Sequence, residues 1–192
     1  GLRTLSSLYD DRFILGLGVS HAPMVERVRG HVYEKPVPAM RRYLDGLYEK
    51  PSDAGNEPVV IAALGPLMLK LAAERTAGAV PYNVTPEHTR VARDALGPGK
   101  LLVVEQKVCL ETDPAAARAI ARREMNRYMT LPNYRNNWLR LGFTEAELAG
   151  GGSDRFLDAM VLSGDAATIA RGLSAHLKAG ADQVCIQPVQ AE

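Results

Sequence analysis

Cysteine is scarce in this chain of 192 residues, which contains only two. Cys109 and Cys185 each lie inside an apolar, strand-like run, where cysteine usually serves as a small buried side chain. Both are therefore predicted to be buried. Two such cysteines predict neither a disulfide framework nor a zinc site, and they fit a reducing, cytoplasmic location.

An excess of either charge is also missing, because 23 Lys and Arg residues stand against 22 Asp and Glu residues and the net charge is +1. This balance gives no electrostatic reason to expect nucleic acid as a partner. No apolar run approaches the roughly 20 residues that span a bilayer, and no signal peptide is visible. Walker-type loops, Gly-x-Ser-x-Gly elbows and metal-ligand spacings are absent as well.

The stretch RFILGLGVSHAP, residues 12–23, is the first motif that suggests a binding site. Its strand-like start and glycine turn resemble the opening of a dinucleotide-binding unit, which needs Gly-x-Gly-x-x-Gly running into a helix. His21 stands where the third glycine should be, and Pro23 follows. Because the third glycine lets the helix pack closely on its strand, the match to the dinucleotide fingerprint is weak.

Short apolar runs alternate with helical patterns along the rest of the chain, as in parallel β/α units. The predicted strands cover residues 13–19, 59–64, 79–84, 101–110 and 182–189. The predicted helices cover residues 35–50, 67–78, 85–97, 115–131, 153–162 and 165–179, with a polar loop at 51–58. Gly78 is read as the stop signal of the second helix, and Thr85 as the N-cap of the third.

About five strands leave two architectures open for a single domain spanning residues 1–192. One is an open doubly wound sheet that is complete as written. The other is the second half of a (β/α)₈ barrel, which needs eight strands and typically ~250 residues. The chain starts at Gly1 with LRTLSSLYDD, which reads like the last turns of a helix. We therefore expect it to be the C-terminal part of a longer protein.

Several stretches resemble the luciferase-like monooxygenase superfamily, in particular its actinobacterial branch of enzymes that use the deazaflavin coenzyme F420. They are RFILGLGVSHAPMVE, PVPAMRRYLDGL, AALGPLMLKLAAERTAGAVPYNVTPEHT, LPNYRNNWLRLGF and GGSDRFLDAMVLSGDA. Members of that family are (β/α)₈ barrels with inserted segments. The resemblance therefore implies an α/β fold that comprises about strands four to eight of such a barrel, with GLGVSH at the carboxyl end of strand four.

The resemblance also implies where the cofactor binds, since the active face of a (β/α)₈ barrel lies at the carboxyl ends of its strands. His21 is in addition a candidate for proton transfer, because imidazole titrates near neutrality. At the turn after the second predicted strand, backbone groups are expected to hold the phosphate-bearing tail at a helix N-terminus. The implied cofactor-binding residues are Ser20, His21, Ala63, Leu64, Gly65, Tyr82 and Thr85. His88 is expected to be exposed.

The segment NYRNNW, residues 133–138, combines hydrogen-bonding side chains with two flat rings. That mixture is typical of a substrate pocket wall or of a contact between subunits. The candidates are Tyr134, Arg135, Asn137 and Trp138. The alternative is a polar loop held in place by Trp138 as a core anchor.

The resemblance implies an oxidoreductase that transfers hydride between F420 and a small organic substrate, and a homodimer as the assembly. In such enzymes the cofactor supplies the redox chemistry and the protein binds and orients it. Two alternatives stay open. One is an FMN-dependent monooxygenase, and the other is a non-catalytic, truncated subunit of such an enzyme.

Overall fold

The computed structural model describes residues 2–10, 12–48 and 58–190. The predicted loop at 51–58 therefore lies outside the described residues, except for its last residue. The chain divides into two compact units, residues 1–80 with 95–101 and residues 81–94 with 102–192. No helix within the described part of the chain is long and apolar enough to cross a membrane.

The first unit contains short parallel strands separated by helices. In chain order its elements are α1 (Leu2–Leu8), β1 (Leu15–Leu17), a π-helical turn (Met24–Val28), α2 (Pro36–Leu47), β2 (Val59–Ile61), α3 (Pro66–Arg75) and β3 (Gly78–Ala79). Strand β2 lies between β1 and β3 and pairs with both in parallel. All three of its side chains are buried, as the continuous run of apolar, β-branched residues predicts.

Gly78 does not end a helix, so this part of the sequence-based prediction is wrong. Helix α3 ends at Arg75, and Gly78 begins β3. A Cβ atom at position 78 would lie 1.8 Å from the carbonyl oxygen of Leu101. The glycine is therefore required by the close approach of two backbones, a requirement that local sequence does not distinguish from a helix stop.

The second unit is built around β4 (Leu101–Cys109), the longest strand among the described residues. The helices are α4 (Pro86–Leu96), α5 (Pro114–Met129), α6 (Pro132–Arg140), α7 (Glu145–Leu148), α8 (Asp154–Met160) and α9 (Ala166–Lys178), and the further strands are β5 (Val161–Ser163) and β6 (Gln183–Pro188). Strand β4 pairs in parallel with both β5 and β6. The predicted alternation of parallel strands and helices is confirmed.

Side-chain caps fix the starts of four helices in this unit, α5, α7, α8 and α9. Asp113, Ser153 and Asp165 each accept a hydrogen bond from a backbone N–H in the first turn that follows. Thr144 and Glu147 form a capping box at the start of α7. Because each cap satisfies N–H groups that the helix leaves unpaired, these boundaries are encoded locally.

Strand β5 was not predicted, and the helix expected over residues 153–162 ends at Met160. Val161 takes extended geometry and pairs with Lys107 of β4. The prediction for Cys109 is confirmed, since it is buried, whereas Cys185 is exposed. Its strand, β6, is exposed along much of its length despite an apolar sequence.

Candidate functional site

Strand β4 carries charged and amide side chains in the middle of an otherwise apolar sequence. Glu105, Gln106 and Lys107 are consecutive and all buried. Because successive side chains of a strand point to opposite faces, Glu105 and Lys107 share one face and Gln106 lies on the other. The strand therefore holds two separate polar networks.

The ammonium group of Lys107 is enclosed completely, with 0 % of its side chain exposed. Its Nζ lies 3.2 Å from Oε1 of Glu105 and 3.3 Å from Oε1 of Gln187, on β6. The ring of Tyr82 lies below it, with 3.9 Å between Nζ and the ring centroid, and the Tyr128 ring is 5.1 Å away. The faces of these rings attract a cation, so they stabilise the charged form of the lysine.

Burial raises the pKa of Glu105 and lowers the pKa of Lys107, because each charge has been withdrawn from water. The attraction between the two groups acts in the opposite direction on both pKa values. The short contact and the two ring faces favour the charged pair. A buried pair of this kind depends on both partners, since removal of one leaves an uncompensated charge.

Hydroxyl groups extend this network away from the lysine. The hydroxyl of Tyr82 donates to Oε1 of Gln187 over 2.8 Å and lies 2.8 Å from the hydroxyl of Tyr128. Both tyrosines are half-buried. The ring of the buried Tyr134 contacts both, with centroids 6.1 Å from Tyr82 and 5.3 Å from Tyr128. Burial, followed by the hydrogen bond to Tyr128, raises the pKa of Tyr82, so its hydroxyl stays protonated.

The network on the opposite face of β4 is uncharged. Nε2 of His176, on α9, lies 2.8 Å from Oε1 of Gln106, and its Nδ1 lies 2.8 Å from the hydroxyl of Thr89, on α4. The Gln106 amide nitrogen donates to two backbone carbonyls, those of Lys107 and Met160. Burial lowers the pKa of His176 to about 4, so the ring is neutral at pH 7.

Asn83 joins the turn after β3 to the aromatic core. It has a positive φ of 55°, which a non-glycine residue rarely adopts, and only 3 % of it is exposed. Its carbonyl accepts a hydrogen bond of 3.0 Å from Nε1 of Trp138. Both polar atoms of its side-chain amide are buried without a hydrogen-bond partner among the described residues. Strained backbone and unsatisfied amides of this kind cluster at functional sites.

The predicted pocket residues Tyr134, Arg135, Asn137 and Trp138 all belong to the second unit. Tyr134 contacts Tyr82, as described above, and stacks on Trp138 with 5.9 Å between centroids. Trp138 is fully buried and packs edge-on against Phe156, so it is a core anchor. Asn137 is buried as well, and Arg135 pairs with Glu145. The segment is a helix, α6, so the alternative prediction of a polar loop is wrong, although Trp138 is the core anchor that it named.

Thr85 lies where the sequence places it, at the start of α4. Its carbonyl accepts the first helical hydrogen bond from the N–H of Thr89, at 3.1 Å. The prediction that His88 is exposed is wrong, since only 2 % of it is accessible. His88 lies in the first turn of α4, and burial of that turn by tertiary packing is invisible in the local pattern.

The remaining predicted residues belong to the first unit. Ser20 follows β1 with a positive φ of 60°, and its carbonyl accepts a 3.2 Å hydrogen bond from the hydroxyl of Tyr33. The carbonyl of His21 accepts hydrogen bonds from the N–H groups of Met24 and Val25 and so starts the turn that follows. A cleft of about 300 Å³ lies beside this segment and is lined mainly by apolar side chains. Ser20 and His21 do not line that cleft.

The predicted anion site lies at the start of α3. Gly65 is the N-cap, no side chain caps the helix, and Pro66 occupies its first turn. The carbonyl of Gly65 accepts hydrogen bonds from the N–H groups of Met68 and Leu69. Ala63 is buried and Leu64 half-buried. The positive end of a ten-residue helix therefore has no acidic or hydroxyl side chain of its own to satisfy it.

From the network around Lys107 and the rings beside it, sequence reasoning selected only Tyr82 and Tyr134, and it selected no residue of the network on the opposite face. The missed residues are Glu105, Lys107, Tyr128 and Gln187 on one face of β4 and Gln106, His176 and Thr89 on the other. One signal was present. Three consecutive polar residues in the run LLVVEQKVCL have no place in a buried strand unless they are paired. Within the described residues, no group of His, Cys, Asp and Glu side chains could hold a metal ion.

The model of one family, described as luciferase-like monooxygenase, matches residues 2–183. Among solved structures, an F420-dependent secondary alcohol dehydrogenase in complex with an F420-acetone adduct is similar over 100 % of this chain and 68 % of its own, with a TM-score of 0.64 and 15 % identity. A coenzyme F420 dependent tetrahydromethanopterin reductase from Methanopyrus kandleri is similar over 97 % and 71 %, with a TM-score of 0.59 and 16 % identity.

A third solved structure, apo-MsnO8, is similar over 97 % of this chain and 66 % of its own, with a TM-score of 0.54 and 20 % identity. No curated protein matches the chain. Identities this low support the fold alone. The predicted fold class, a partial (β/α)₈ barrel of the luciferase-like type, is confirmed.

Proposed function

The chain belongs to the luciferase-like monooxygenase family, and from that premise we propose that it is an oxidoreductase transferring hydride between coenzyme F420 and a small organic substrate. The observation that carries the proposal is the family match, which extends over residues 2–183. F420 is preferred to FMN because two of the similar structures are described as F420-dependent enzymes. The proposal treats the chain as one luciferase-like domain, and a homodimer is the proposed assembly, to be measured by sedimentation velocity.

The start of α3 is the proposed site for the anionic tail of the cofactor, because no side chain caps this helix. Gly65 has no side chain to occupy the N-terminus, and its extended backbone leaves the first turn of the helix open to a ligand. In this proposal backbone groups of Ala63, Leu64 and Gly65 bind the phosphate. The helix dipole adds a favourable interaction of roughly 0.3–1 kcal/mol with a negative charge.

Further cofactor contacts are proposed within each unit by itself. Ser20 and His21 follow β1 in the first unit, and Tyr82 and Thr85 precede α4 in the second. His21 is the proposed group for holding or moving a proton. Tyr134 is the proposed pocket wall, and Trp138, Asn137 and Arg135 support the helix that carries it. F420, when bound, supplies the carbon centre that accepts or donates hydride.

The first test is a titration of the purified chain with oxidised F420 and, separately, with FMN, followed by fluorescence. Saturable binding of F420 alone supports the proposal. Saturable binding of FMN alone contradicts the choice of cofactor and favours the FMN-dependent monooxygenase. Binding of neither contradicts the oxidoreductase and favours the non-catalytic subunit.

A variant with a negative charge at the start of α3 tests the proposed phosphate site directly. Gly65→Asp supplies a good N-cap at an ordinary extended backbone geometry, so we expect the fold to be retained. The new carboxylate would occupy and repel the phosphate site, and F420 affinity should fall at least about tenfold. Gly46→Asp is the matched control, because Gly46 is exposed on α2 and its new side chain would meet open space. Equal affinities of the two variants would contradict the phosphate site.

A further inference from the structure

In the tyrosine network around Lys107, the donor of each hydrogen bond follows from the number of protons that each group carries. The ammonium of Lys107 can only donate, so the oxygen of the Gln187 amide must face it, at 3.3 Å. The same oxygen accepts the hydroxyl proton of Tyr82, at 2.8 Å. A phenol has one proton, so the Tyr82 hydroxyl has nothing left to donate.

The hydroxyl of Tyr128 must therefore be the donor in its 2.8 Å contact with Tyr82. Its single proton is then committed as well. The chain of hydrogen bonds runs from Tyr128 to Tyr82 to Gln187, where the ammonium of Lys107 donates from the other side. At its outer end it leaves the lone pairs of the hydroxyl oxygen of Tyr128, a half-buried residue, and this oxygen can accept a further hydrogen bond but has no proton left to donate.

Aromatic rings surround this oxygen, and the two cations beside the Tyr128 ring, Lys107 and Arg127, are each paired with a carboxylate. The rings of Tyr82, Tyr128 and Tyr134 contact one another with centroid separations of 5.3–6.1 Å. Such rings present apolar faces to a ligand. An anion would meet a hydroxyl whose proton is already donated to Tyr82, whereas an uncharged O–H or N–H group would find an acceptor.

We propose that Tyr128 and its two neighbouring tyrosines form a binding site for an uncharged, largely apolar organic molecule bearing an O–H or N–H donor, and that Lys107 and Gln187 impose this preference. Lys107 and Gln187 act as positioning residues, because they touch only the network. Identification of this molecule with the substrate rests on the proposed function. The preference itself belongs to the tyrosines and is tested without cofactor.

Three probes of one shape separate the hydrogen-bonding classes. Benzyl alcohol carries a donor, benzyl methyl ether lacks it, and benzoate replaces it with a negative charge. Ligand-observed NMR on the whole chain gives their relative affinities. We expect benzyl alcohol to bind about fivefold more tightly than the ether, which corresponds to one net hydrogen bond, and more tightly than benzoate.

Two variants then test the direction of the chain. Tyr128→Phe removes the terminal acceptor, so the advantage of the alcohol over the ether should disappear. Tyr82→Phe keeps the ring beside Lys107 but frees the proton of Tyr128, which can now donate to an anion. The preference for benzyl alcohol over benzoate should therefore fall by about fivefold. Tyr9→Phe is the control, since Tyr9 is exposed and belongs to the first unit.

The inference is overturned if benzoate binds wild-type chain more tightly than the alcohol, if no probe binds, or if Tyr82→Phe leaves the ratio unchanged while retaining the wild-type near-ultraviolet circular dichroism. If the spectrum of Tyr82→Phe is altered, the Tyr128→Phe variant decides instead. An unchanged advantage of the alcohol over the ether in Tyr128→Phe also overturns the inference. The outcome of the F420 titration does not depend on the outcome of the probe experiment. Loss of F420 binding with the expected probe pattern contradicts only the proposed function, and the reverse result contradicts only the preference of the tyrosines.

Discussion

The buried polar groups on the two faces of β4 are satisfied in different ways. One face pairs full charges, Glu105 and Lys107, and surrounds the cation with tyrosine rings. The opposite face contains only neutral groups, with Gln106 and His176 held 2.8 Å apart. The charged network ends at half-buried hydroxyls, whereas the neutral one is buried at every side chain.

This difference separates a network suited to ligand recognition from one suited to holding elements together. The neutral network ties α4 and α9 to β4 and satisfies two backbone carbonyls, so it fixes how helices pack on the strand. A charged pair is costly to bury, and hydrophobic residues of similar size are often as stabilising. The charged pair lies beside half-buried tyrosines, so we assign it a role in ligand recognition, which packing alone would not require.

Removal of the buried cation should have the largest effect. Lys107→Met leaves Glu105 buried without its counter-charge, and we expect the free energy of unfolding to fall by about 3–5 kcal/mol. Urea denaturation measures this loss. Lys70→Met is the control, because Lys70 is largely exposed and pairs with Glu74 only across a distance of 3.8 Å on the surface. Recovery of part of the loss in Lys107→Met with Glu105→Gln is also expected, and a loss equal to that of the control would contradict the buried charged pair.

The second largest effect is expected from acid, which should weaken the neutral network around His176. The pKa of His176 is lowered from 6.5 to about 4 by burial, with Glu87 acting to raise it and His88 to lower it further. The unfolded chain therefore binds a proton at a higher pH than the folded chain. The contribution of His176 to stability is complete above pH 6.5 and is lost as the pH falls towards 4, by up to about 3 kcal/mol.

Urea denaturation between pH 4 and 8 measures that dependence, with His176→Gln as the comparison. Glutamine keeps hydrogen-bonding atoms at this position but does not titrate in this range. The slope of the free energy of unfolding between pH 4 and 6.5 should become shallower in the variant. Identical slopes in both proteins would show that His176 is not the group that is protonated.

The smallest expected effect concerns a single hydroxyl of the neutral face. Thr89→Val keeps the shape of the side chain but leaves Nδ1 of His176 without its partner at 2.8 Å. The free energy of unfolding should fall by about 1–2 kcal/mol. Thr168→Val, on the exposed surface of α9, should change it by less than about 0.5 kcal/mol. Similar losses at the two positions would contradict a hydrogen-bonded network on the buried face.

Much of the fold was accessible from sequence because its signals are local. Asp113 and Pro114 mark the start of α5, and the capping box of Thr144 and Glu147 marks α7. Strand β4 was found because a long apolar, β-branched run has few other conformations. Within the candidate site, Tyr82 and Tyr134 were selected by resemblance and by composition, and the structure places their rings 6.1 Å apart.

The sequence by itself determined the alternation of strands and helices and the starts of the capped helices, since these depend on residues a few positions apart. Tertiary structure alone decided that Gly78 lies against the backbone of Leu101, that Val161 joins a strand and that Cys185 is exposed. It also decided three partners of Lys107, which come from positions 82, 128 and 187. Contacts between residues so far apart along the chain depend on how the elements pack, and no local pattern encodes them.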